Sequence, residues 1–105
     1  MEFKLVDNET RRRYEIGDAV IFYREALPIT VTSIYSKHTR QSETGPTVNI
    51  EDVVREMLAR HVEGWEGVTL DGQPLAYSVD TLLRIREHPD RLFALIIGGD
   101  RAINP

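Results

Sequence analysis

Residues 49–78 constrain the fold of this chain more than any other stretch, because a strongly amphipathic helix runs straight into a segment that cannot be helical. Asn49 suits an N-cap, and Glu51 and Asp52 fall where the helix dipole favours anions. Glu51/Arg55 and Glu56/Arg60 have i,i+4 spacing in the favourable order. Ile50, Val53, Val54, Met57, Leu58 and Val62 form one apolar stripe, so a helix over Asn49 to Glu63 must lie on a core. Immediately afterwards Gly64 and Gly67 bracket Trp65, Asp71-Gly72 is a strong turn dipeptide, and Pro74 interrupts regular structure. The spacing therefore predicts a tight polar loop over 64–78 that holds the single tryptophan.

At 105 residues the chain is expected to be one domain, with room for one modest core but not for a cleft between domains. Lys and Arg number 13 against 17 Asp and Glu, a formal charge of −4. That balance disfavours a phosphate-backbone partner, which calls for a basic face. The excess is uneven. Residues 1–46 carry seven basic and seven acidic side chains, whereas residues 47–105 carry six and ten. With no cysteine, disulfides and thiolate metal sites are absent. The start lacks the apolar run of a signal peptide, and no stretch approaches the ~20 apolar residues of a membrane span. A cytoplasmic location, away from membranes, is expected.

Phe3 to Val6 is a short strand candidate. Arg11-Arg12-Arg13 invites a nucleic-acid reading, but acidic residues flank it and Tyr14-Glu15-Ile16 follows, so a solvated strand edge fits better. Gly17-Asp18 between Arg13–Ile16 and Ala19–Arg24 has the length of a β-hairpin connection. Residues 28–39 are ambiguous: their β-branched content suits a strand, while Val31, Ile34, Tyr35 and His38 recur at helical spacing. Helix is preferred, with Pro28 in the first turn. Gln41 to Pro46 reads as a mobile connector. Ser78 caps a helix through Val79, Leu82, Leu83 and Ile85, His88-Pro89 breaks it, and Asp90–Ile97 forms another that ends at Gly98-Gly99. The expected architecture is α+β: a small antiparallel sheet or hairpin over 1–27, three or four helices packed on it over 28–99, and a frayed tail over 100–105.

Catalytic patterns are lacking. His38, His61 and His88 are scattered without HExxH spacing, and His61 reads as a partly buried packing residue. Ser33, Ser36, Ser42 and Ser78 fit no nucleophile elbow. Glu51-Asp52 belongs to a helix start, and Glu63 with Glu66 borders a loop, so neither pair is set up for acid/base work. Gly64, Gly67 and Gly72 form no phosphate-binding string. No enzyme, cofactor or metal is expected. Trp65 can close the end of the core with its N–H on a loop carbonyl, or act as an exposed binding anchor; the first reading is preferred. The candidate partner-binding residues are Tyr23, Arg24, Trp65 and Leu75.

The run Met57-Leu58-Ala59-Arg60-His61-Val62-Glu63-Gly64-Trp65-Glu66-Gly67-Val68, then Asp71-Gly72-Gln73-Pro74-Leu75 and Ala76-Tyr77-Ser78, resembles the tail assembly chaperones of long-tailed bacteriophages and prophages. Those proteins show a helix, a Gly-Trp-x-Gly-Val-like turn, an Asp-Gly-x-Pro-like turn, and an aromatic and Ser opening a leucine-bearing helix. The resemblance covers about residues 50–97, and Phe22-Tyr23-Arg24 before a Pro-started segment is also similar. Ala76 departs from the pattern, standing where Pro is frequent. The resemblance implies a non-enzymatic factor of the host cell cytoplasm. Such a factor coats the long, hydrophobic, helical tape measure protein before tail tube polymerisation and is then displaced. It also implies contact with other tail assembly proteins, homo-oligomerisation, and a longer companion product made by frameshifting. Two alternatives from other classes remain: a phage or prophage structural or connector protein retained in the virion, and a small regulatory nucleic-acid-binding protein built around Arg11–Arg13.

Overall fold

The computed structural model describes residues 2–98. Its elements follow in the order β1 (Arg12–Ile16), β2 (Ala19–Tyr23), α1 (Pro28–Lys37), β3 (Thr39–Ser42), β4 (Gly45–Val48), α2 (Ile50–His61), β5 (Val62–Glu66), β6 (Thr69–Leu70), β7 (Gln73–Pro74), α3 (Val79–Leu82) and α4 (His88–Ile96). The fold is α+β, an N-terminal antiparallel sheet with four helices, as the sequence patterning predicts.

Gly17 takes a φ of 57° in the two-residue connection of the first hairpin, a backbone state glycine enters without steric cost. Ile16 then faces Ala19, and Arg12 faces Tyr23. The strand order is β1-β2-β5, so β2 is central, and Ile21 lies opposite Trp65. Side chains alternate across a strand. On β2, Ile21 and Tyr23 accordingly join the core shared with the helices. Phe22 points to the other face, where the Arg11 guanidinium stacks 3.8 Å from its ring centroid and that of Arg13 lies at 5.5 Å.

α2 organises the helical layer. The Asn49 side chain caps it by accepting from the Asp52 N–H at 3.3 Å, and its stripe buries Val53, Met57 and Leu58 completely. Ile34 of α1, Leu82 of α3, and Leu92 and Ile96 of α4 complete the buried cluster. Of the two helical pairs expected, Arg60–Glu56 forms at 2.8 Å. Arg55 turns instead to Asp80 at the start of α3.

Five expectations change. Residues 3–6 form no strand: Phe3 and Leu5 are 79% and 84% exposed, with no sheet edge under them. The connector at 41–46 is the β3–β4 hairpin, in which Gly45 at φ 115° ends the turn and the Ser42 hydroxyl donates to its carbonyl at 2.6 Å. Pro46 sits in a two-stranded ribbon, where a missing N–H is tolerated. Gly64 and Trp65 lie within β5 rather than in a loop, and Val62 and Glu63 open that strand rather than ending α2, because β2 offers them a ladder. The helix after Ser78 ends at Leu82 instead of Ile85, although Ser78 does cap it, accepting from the Thr81 N–H at 3.0 Å. The last helix begins at His88, with Pro89 in its first turn. Gly99 and the tail over 100–105 lie outside the described residues.

Candidate functional site

The signature region 64–78 folds into a strand and a miniature hairpin tied together by the indole. Asp71 and Gly72 both take positive φ, 51° and 77°, as a two-residue hairpin turn with this twist demands, and they join β6 to β7. The Leu75 N–H donates to the Val68 carbonyl at 2.9 Å. Trp65 Nε1 donates to the Leu75 carbonyl at 2.7 Å, and the indole meets the Tyr77 ring edge-on with centroids 5.1 Å apart. Burial pushes the Tyr77 phenol above its ordinary pKa. Trp65 thus has the packing role that the sequence favoured, half-buried, with its one polar atom satisfied.

The four proposed contact residues do not form one exposed patch. Tyr23 is a core residue at 7% exposure, which removes it as an exposed anchor; strand alternation turns it to the same face as Ile21. Arg24 is partly exposed but engaged. Its Nε donates to Glu63 Oε2 at 2.8 Å and its Nη1 to the Glu9 carbonyl, while Arg11 Nε lies 3.5 Å from Glu63 Oε1. Leu75 is half-buried and is brought to Trp65 by the indole hydrogen bond.

The arginine run is similarly occupied. Arg11 faces Glu63, Arg12 lies 3.4 Å from Glu25, and Arg13 lies 3.4 Å from Glu15. The histidines hold structural partners: Tyr14 Oη for His88 Nδ1 and Glu56 Oε1 for His38 Nε2, both at 2.9 Å, and the Met57 carbonyl for His61 Nδ1 at 2.8 Å. Glu56 gathers Lys37, His38 and Arg60 around one carboxylate. Hydrogen bonding from Lys37 and then His38 holds its pKa at about 2. Among the described residues, no three His, Asp or Glu side chains are grouped to hold a metal ion, and no helix is long and apolar enough to cross a membrane.

What the sequence reading missed is a groove. A depression of about 610 Å³ lies beside the start of α2, lined by Ile50, Val54, Arg55, Leu83 and the carboxylates Glu51, Asp52 and Asp90. Ile50 is 52% exposed there, although helical periodicity assigns it to the buried stripe. As the first residue of α2 it lies beyond the end of the core. Val54, one turn later, continues its apolar line, and Leu83, just after α3, adds a third apolar side chain to the lining. A smaller groove of about 290 Å³ lies between α1 and the end of α4, walled by Ala26, Val31, Ile96 and Ile97. Both depressions place apolar side chains beside polar or charged ones at the surface. No family model matches the chain, and no curated protein or solved structure matches it.

Proposed function

We propose that this chain is a tail assembly chaperone, a non-enzymatic cytoplasmic factor that binds and solubilises a phage tape measure protein until the tail tube polymerises around it. The observation that carries the reading is the open groove in which Ile50, Val54 and Leu83 give an apolar strip among the charged side chains of Glu51, Asp52, Arg55 and Asp90. A chaperone of an aggregation-prone helix needs such a surface, shallow enough to release its client. The resemblance of residues 50–97 to that family supports the same conclusion. Engagement of Arg11, Arg12 and Arg13 with carboxylates weighs against the nucleic-acid reading.

Co-expression with the tape measure protein of the same phage or prophage tests the proposal. The expected result is a client that turns soluble and co-purifies with this chain, together with finished tails that lack the chain. An insoluble client refutes it, and retention of the chain in finished particles replaces it with the structural connector.

A further inference from the structure

The groove at the start of α2 has an electrostatic character as well as an apolar floor. Glu51 and Asp52 stand on its α2 side and Asp90 on its α4 side, and none of the three has an ion-pair partner among the described residues. Arg55 also lines it, but its guanidinium is bound to Asp80 and its charge is compensated there. Opposing the carboxylates are the N-terminal dipoles of α2 and α4, each equivalent to about half a positive charge. Two such half-charges leave the rim with an excess of about two negative charges, so the carboxylates win and the mouth attracts cations.

The floor sets the shape of what enters. Ile50 and Val54 are four residues apart on one helix, a rise of about 6 Å, and Leu83 from the segment after α3 lines the same depression. That geometry takes the i, i+3 or i+4 anchors of one or two helical turns laid between α2 and the α3–α4 connection. An anionic partner would meet repulsion at the rim, and a neutral one would leave three carboxylates partly desolvated without compensation.

We infer that the occupant of this groove is an amphipathic helix whose apolar stripe is flanked by lysine or arginine. The inference rests on the chaperone proposal only for the owner of that helix, the client; the chemistry of the occupant follows from the groove itself. Binding is fast and salt-sensitive, because rim charges act through solvent over about 10 Å at 0.1 M salt.

The test uses two designed, fluorescein-labelled 14-residue helical peptides with identical leucine stripes, one flanked by lysines and the other by glutamates. Fluorescence anisotropy with the full chain should show the lysine peptide binding roughly tenfold more tightly, three rim pairs each contributing about two- to threefold. That advantage should shrink as NaCl rises from 50 to 300 mM. The double variant Glu51→Lys/Asp90→Lys should invert the preference, a gain that a merely misfolded protein cannot produce. Leu83→Ala should weaken both peptides. Equal affinity for the two peptides, no binding of either, or a variant that keeps the wild-type preference overturns the inference. If the peptides fail while co-expression still solubilises the client, the chaperone proposal survives on another face. If the lysine peptide binds with the expected inversion but the client stays insoluble, the groove assignment stands and the chaperone proposal falls.

Discussion

Replacing Gly67 by alanine probes how the signature region is anchored to the first hairpin. Gly67 lies just after β5 with a φ of 75°, and a Cβ built there would stand 2.7 Å from the Asp18 carbonyl oxygen and 3.2 Å from Ala19 Cα. Both atoms are backbone, one in the β1–β2 turn and one at the first residue of β2, so neither can rotate away. Gly72 provides an internal control: its φ is 77°, nearly the same, but a Cβ there meets nothing within 4 Å. The left-handed conformation costs alanine about 1–2 kcal/mol in either position. Alanine also recovers about 0.4–1 kcal/mol by restricting the unfolded chain. Gly72→Ala should therefore destabilise by about 0–1.6 kcal/mol. Gly67→Ala adds the displacement of one backbone segment from another, about 1–3 kcal/mol as for overpacking, for a total of about 1–4.5 kcal/mol. Urea unfolding followed by Trp65 fluorescence measures the difference. With a slope of about 1 kcal/mol per molar urea, the Gly67→Ala midpoint should lie about 1–3 M below that of Gly72→Ala. Midpoints within about 0.3 M of each other would refute the close approach of the two turns.

Other residues yield shorter tests. Trp65→Phe leaves the Leu75 carbonyl without its 2.7 Å donor and should cost about 1–2 kcal/mol in thermal unfolding followed by circular dichroism; an unchanged Tm would mean that solvent replaces that bond without cost. Tyr23→Ala should cost about 3–5 kcal/mol as a core truncation, whereas Arg24→Ala should cost about 1 kcal/mol or less; a Tyr23→Ala protein with wild-type stability would return that side chain to the surface. Glu56 sets an acid limit. Its folded pKa, about 2, lies below the ordinary value of 4.5, so its contribution is complete above about pH 4.5 and is lost as pH falls toward 2. Urea midpoints of the wild type should decline across that window, and Glu56→Gln should flatten the decline; parallel profiles for the two proteins would show that the Lys37–His38–Glu56–Arg60 cluster does not contribute.

The features legible in the sequence are those with short-range causes. Asn49 and Ser78 cap helices because a side-chain oxygen finds an N–H three residues on, which depends on nothing farther along the chain. Gly17-Asp18 and Asp71-Gly72 make turns because their backbones tolerate the required φ. Helical spacing of Val31, Ile34 and Tyr35 overrode the β-branched content of residues 28–37, since one buried face outweighs small propensity penalties. These local rules determined α2, the first hairpin and the α+β class. Tertiary structure decided what depends on a distant partner. Gly64 and Trp65 read as loop from their own composition, yet β2, some forty residues earlier, supplies the ladder that makes them a strand. Tyr23 reads as a strand-end anchor, but the helices cover the face to which it points. Ile50 belongs by periodicity to the buried stripe, and it is exposed because periodicity states which side of a helix is apolar, not how far along the helix the core extends. The groove shares this origin: Ile50 and Val54 come from one helix, Leu83 and Asp90 from the segments after it, and only their packing creates a surface between them.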